Sequence, residues 1–80
     1  MIKIVNTRIC NVIALMHNIN YPVKYIIIHK DNNKYSIDIF TTDGKYFIIN
    51  EYVDVQVVLD DDNVIIRLFD ETGGYDEVSG

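Results

Sequence analysis

The chain opens on a brief alternation, Ile2-Lys3-Ile4-Val5, and then changes period, with Ile9, Val12, Ile13 and Met16 recurring at i, i+3, i+4 and i+7. The first pattern predicts a short strand over residues 2–5 and the second a helix over about residues 7–17, because that spacing lines one helical face. Asn6 or Thr7 can cap the helix start by accepting a backbone N–H bond. Asn18 suits the left-handed position just past its end, and Tyr21-Pro22 forbids continuation.

From Val23 onward the pattern becomes runs of six to eight residues separated by Asn32-Asn33, Asp43-Gly44, Asn50-Glu51-Tyr52 and Asp61-Asp62. These turn signals predict a five-stranded antiparallel meander. Two-residue loops at Asn32-Asn33 and Asp43-Gly44 place Ile28 opposite Ile37, Ile26 opposite Ile39, and Ile39 opposite Ile48. A two-residue loop at Asp61-Asp62 places Leu59 opposite Val64, Val57 opposite Ile66 and Val55 opposite Leu68. The registers agree on one apolar face, made of Ile26, Ile28, Ile37, Ile39, Ile48, Val55, Val57, Leu59, Val64, Ile66 and Leu68, which the helix would cover. The other face is mixed, and Tyr25, Phe40 and Phe47 fall abreast on three successive strands. It is too apolar for a simply solvated surface. It predicts aromatic support across the strands or a sheet curled into a small barrel, or else a patch that meets a partner or a second copy of the chain.

Residues 70–80 are acidic, glycine-rich and nearly free of aliphatic side chains. They read as a flexible acidic tail after one α+β domain over residues 1–69.

Composition supports the strand-rich reading, with 14 Ile, 9 Val, 6 Tyr and 3 Phe against one Ala and 3 Leu. Eighty residues hold one core, and 49% hydrophobic against 24% charged side chains excludes a disordered chain. The scarcity of Ala, Pro and Arg beside abundant Ile, Asn, Lys and Asp fits an AT-rich genome, as in phages, mobile elements and low-GC bacteria. Apolar runs such as Tyr25-Ile26-Ile27-Ile28 are far too short to span a membrane, and Asn6, Arg8 and Asn11 interrupt any signal-peptide core. A cytoplasmic protein is expected. With Cys10 as the only cysteine there is no disulfide framework and no thiolate metal cluster.

Charge alters the picture more. Residues 1–50 carry six basic and three acidic side chains, whereas residues 51–80 carry one basic (Arg67) and nine acidic ones. The second segment, at −8, repels nucleic acid and attracts basic surfaces. Asp60-Asp61-Asp62-Asn63 is no calcium loop, because Val64 and Ile65 occupy the positions where a third ligand and a glycine belong. His17 and His29 lack the companions of a zinc site. Ser36, His29 and Asp38 share a strand pair, which supplies neither a strained nucleophile turn nor an oxyanion hole. Gly73-Gly74 has neither the Lys-Ser/Thr nor the helix of a phosphate loop.

A helix followed by a five-strand meander, over about residues 7–69, resembles the element order of Sm-like and related small barrels, a resemblance of topology alone. In size, acidity and composition the chain resembles, as a class, the small inhibitors that phages and mobile elements direct against nucleic-acid-binding defence proteins, anti-CRISPR proteins included. Immunity proteins that neutralise basic toxins share the profile. The resemblance implies a non-enzymatic inhibitor of a basic, nucleic-acid-handling protein, acting by nucleic-acid mimicry, with no cofactor, metal, membrane or direct nucleic-acid partner. Asp54, Asp60, Asp61, Asp62, Asp70 and Glu71 would supply attraction, and Tyr25, Phe40, Phe47 and Phe69 would be anchors. Two other classes fit the chain. One is an RNA- or single-strand-binding barrel using Lys24 and Lys45, the other a structural homo-oligomer, a homodimer through the second sheet face.

Overall fold

Helix α1 (Thr7–Met16) follows strand β1 (Ile2–Ile4) and starts on the expected cap: the Asn6 side-chain oxygen accepts the Ile9 N–H at 2.9 Å. Past its end, Asn18 adopts φ 60, the left-handed conformation that stops a helix. The computed structural model describes residues 1–80. Six further strands follow, β2 (Val23–Asp31), β3 (Lys34–Thr41), β4 (Tyr46–Tyr52), β5 (Asp54–Asp60), β6 (Asn63–Phe69) and β7 (Tyr75–Ser79). They form two antiparallel sheets, ordered β1-β2-β3-β4 and β5-β6-β7. The α+β reading stands in this coarser form.

Three expectations need correction. The first concerns closure: β4 runs on to Tyr52 through the expected Asn50-Glu51-Tyr52 turn, and the chain leaves the first sheet at Val53. The meander is therefore broken into two sheets, and neither closes into a barrel.

The second is the β3–β4 register. Thr41 and Lys45 pair through backbone and hydroxyl hydrogen bonds (Thr41 N–H to Lys45 O 3.0 Å, Lys45 N–H to Thr41 Oγ1 2.8 Å), and Gly44 takes φ 88. The loop thus has an odd number of residues, with glycine in the left-handed position. Ile39 consequently lies opposite Phe47, and Asp38 opposite Ile48. A one-residue slip exchanges faces. Phe47 and Ile49 turn toward the core, while Ile48 is 56% exposed.

The third is the tail. Residues 75–79 form β7, with Ile66 opposite Val78 and Phe69 opposite Tyr75. Val78, which is buried, supplies the apolar contact, and Asp70 builds the turn that precedes it. Gly80 then exchanges two 3.1 Å backbone bonds with Val64, close against Ile9.

The β2–β3 and β5–β6 registers are as expected, down to Ile28 opposite Ile37 and Val57 opposite Ile66. The core joins both sheets to the helix. Ile9, Cys10, Ile13 and Ala14 from α1 pack with Ile26, Ile28, Ile37 and Ile39 of the first sheet and Ile66, Leu68 and Val78 of the second. Each fully buried aliphatic side chain contributes about 1.5–3 kcal/mol. The Cys10 thiol donates to the Ile4 carbonyl at 3.2 Å, and burial pushes its pKa up to about 11. The β5–β6 hairpin outruns this core. Of its expected core face, Val55 and Val64 are half-buried, Val57 is 41% exposed and Leu59 is 76% exposed.

Candidate functional site

Tyr52, the last residue of β4, has its ring in the core and its hydroxyl at the seam between the sheets. That hydroxyl donates to Asp76 Oδ2 of β7 at 3.0 Å and lies 3.0 Å from His17 Nε2 at the end of α1. The hydroxyl has one proton, and the carboxylate takes it. His17 must therefore donate from Nε2, leaving Nδ1 turned toward Glu51 Oε1 at 3.6 Å. Burial, then the Asp76 carboxylate, hold the Tyr52 hydroxyl protonated well above the ordinary tyrosine range.

Outside this network is an open cleft of about 390 Å³, with carboxylates from Glu51, Asp70, Glu71 and Asp76 around its wall. Lys34 is the only cation lining it, 3.0 Å from Glu71 Oε1. Asp70 is held in place, since its Oδ1 accepts from the Thr72 hydroxyl (2.5 Å), the Thr72 N–H (2.9 Å) and the Gly74 N–H (3.2 Å). Those donors keep its carboxyl below the usual carboxylate range. The group stays ionised as a fixed acceptor. Asp54 lies opposite Phe69 at the same end of the second sheet.

The expected site residues are thus divided. Asp70 and Glu71 line the cleft and Asp54 stands at the same end of the sheet, while Asp60, Asp61 and Asp62 sit at the hairpin tip, roughly 20 Å along β5 at ~3.3 Å per residue. Glu51, Asp76 and Tyr52 complete the cleft without having been singled out. All three lie in the acidic second segment, but bringing them together required a contact between sheets that no turn signal encodes.

The aromatic candidates separate as well. Tyr25 and Phe40 stack on the outer face of the first sheet, with ring centroids 4.7 Å apart. Tyr46, not Phe47, continues the row at 4.8 Å. Lys3 Nζ covers the far side of Tyr25 at 4.6 Å from its centroid. Phe47 faces inward, stacked on Tyr21 at 6.0 Å, and Phe69 packs on Tyr75 at 5.2 Å in the second sheet.

Ser36, Asp38 and His29 do meet. Ser36 Oγ donates to Asp38 Oδ1 at 2.6 Å, and His29 Nε2 lies 2.9 Å from Asp38 Oδ2. The carboxylate, not the imidazole, is the middle member, so the serine proton is directed to Asp38. In a nucleophilic triad the imidazole takes that place.

Compared with family models, curated proteins and solved structures, the chain matches none. No helix is long and apolar enough to cross a membrane.

Proposed function

We propose that this protein is a non-enzymatic inhibitor that binds a basic surface on a nucleic-acid-handling protein and excludes nucleic acid from it. The observation that carries this reading is the cleft, where four carboxylates from β4, β7 and the turn before β7 face one lysine. Asp70 is fixed there by three donors, so a partner's Lys or Arg would meet an ordered acceptor. Asp54 and, roughly 20 Å away, Asp60 to Asp62 extend the negative surface, a spacing over which a cationic groove built for phosphates would be attracted.

The organisation of the aromatic row supports this reading over the nucleic-acid-binding one. Base stacking needs a free ring face, and Tyr25 and Phe40 are covered by each other, by Tyr46 and by Lys3, so that Tyr46 alone, 50% exposed at the end of the row, keeps one.

The test is capture of partners from lysate, followed by challenge with RNA or DNA. Bound proteins should be basic and released by polynucleotide. Reversal of Asp70 and Glu71 to Lys, or of Asp60, Asp61 and Asp62, should slow their association at low salt and much less at high salt. Salt-sensitive affinity of the unmodified protein for RNA or single-stranded DNA would overturn the reading. Partner binding indifferent to every acidic reversal would do the same.

A further inference from the structure

β5 is the edge strand of the second sheet, and the direction of its backbone groups follows from the far side of β6. Val64 exchanges both of its backbone hydrogen bonds with Gly80, beyond β7. In an antiparallel ladder successive residues face opposite neighbours, so Asn63 and Ile65 turn to β5. Their partners there are Asp60 and Val58. The N–H and C=O groups of Val55, Val57 and Leu59 therefore point to the open side. The neighbouring Asp54 carboxylate accepts the Val55 N–H at 2.8 Å. Val57 and Leu59 also expose their side chains beside this edge.

An edge of that kind accepts an added strand. A second copy of the chain fits poorly. Antiparallel self-pairing centred on Val57 sets Asp54 against the partner's Asp60 at both ends, and moving the centre to Val58 sets Asp54 against the partner's Asp62. Like charges directly opposite are destabilising. An extended segment with cations at its ends meets the same carboxylates favourably.

We propose that β5 is the docking edge for an extended segment of a basic partner, added to the open side of the sheet with Lys or Arg opposite Asp54 and Asp60. The inference rests on the basic-partner reading and gives it a mode of binding. Main-chain hydrogen bonds to Val57 and Leu59 supply affinity, those two side chains give apolar contact, and the terminal carboxylates select charge and set register.

The test is titration of a blocked peptide, Lys-Val-Thr-Val-Thr-Val-Lys, whose Val side chains share the face of Val55, Val57 and Leu59 when its Lys side chains stand opposite Asp54 and Asp60, into the isotope-labelled protein, followed by amide resonances. Shifts should concentrate on β5, led by Val57 and Leu59, and the same peptide with Glu at both ends should not bind. Val57→Pro removes an outward N–H and leaves the β5–β6 ladder its bonds, so it should weaken binding at least tenfold. N-methylation of the peptide residues facing β5 should have the same effect, with no change to the protein. Unshifted β5 amides, or equal binding by the N-methylated peptide, would overturn the inference. If acidic reversals abolish partner capture while Val57→Pro and N-methylation change nothing, the basic-partner reading stands and the edge mode alone falls.

Discussion

In the first sheet, every inward isoleucine of β2 and β3 is buried in the core shared with α1 and the second sheet, whereas burial along the second sheet fades from Leu68 and Ile66 to the exposed Leu59. Charge divides at the same seam. Residues 1–53 carry six basic and four acidic side chains, and residues 54–80 carry one and eight. The comparison teaches that one short helix and the near end of the second sheet suffice to bury the inward face of the first sheet. The other is anchored at one end and left free at its hairpin, where the apolar edge and the carboxylates coincide.

The largest test of that contrast is truncation of inward side chains. Ile39→Ala, at a fully buried position, should cost about 2–5 kcal/mol. Leu59→Ala should lie within about 0.5 kcal/mol, as exposed sites do. Urea unfolding of the two variants measures both, and equal costs would erase the distinction between the sheets.

The seam comes next. Tyr52→Phe strips the hydroxyl shared by Asp76 and His17 and should cost about 0.5–1.5 kcal/mol, the net worth of a hydrogen bond, since Asp76 stays exposed to water. Because the folded tyrosine holds its proton above the ordinary value of 10.0, its contribution is complete below that pH. It is lost as pH rises toward the folded value. The phenylalanine variant should lack this alkaline loss.

Smaller effects distinguish the regions by pH. On the helix side, Cys10 is raised from 9.0 to about 11. Its share of stability is full below the lower value and fades up to the higher one. Cys10→Ala should flatten that interval in urea midpoints, and the native thiol should react with a disulfide reagent only as fast as the core opens. On the second sheet, Asp70 is depressed, so its share is present above 3.8 and lost as pH falls through the folded value. Asp70→Asn should blunt acid sensitivity, with the smallest change of the series, since the group is fully exposed.

Much of the first sheet was legible because its signals are local. The Asn6 cap, the stop at Asn18 and the Asn32-Asn33 turn each act within a few residues, and together they placed α1, β2 and β3. The β4 register failed because Asp43-Gly44 serves a two-residue loop and a longer glycine-closed one equally well, and Thr41 decides between them through its hydroxyl. β7 was missed because its strand character resides in one buried valine, Val78, among acidic neighbours. The cleft was out of reach for a different reason. Its residues come from distant parts of the chain, and alternation along a strand carries no information about which sheet edge lies beside which.

The hydrogen bonds of Tyr52 span 35 residues back to His17 and 24 forward to Asp76, whereas the β2–β3 hairpin closes over two residues. Distant closures sacrifice more chain entropy before any contact rewards them. The β2–β3 and β5–β6 hairpins, each closed over two residues, are therefore expected to form first and the seam to lock late. Loss of the Tyr52 hydroxyl should accelerate unfolding and leave the folding rate nearly unchanged, so the shared hydroxyl acts as a latch on the lifetime of the native state.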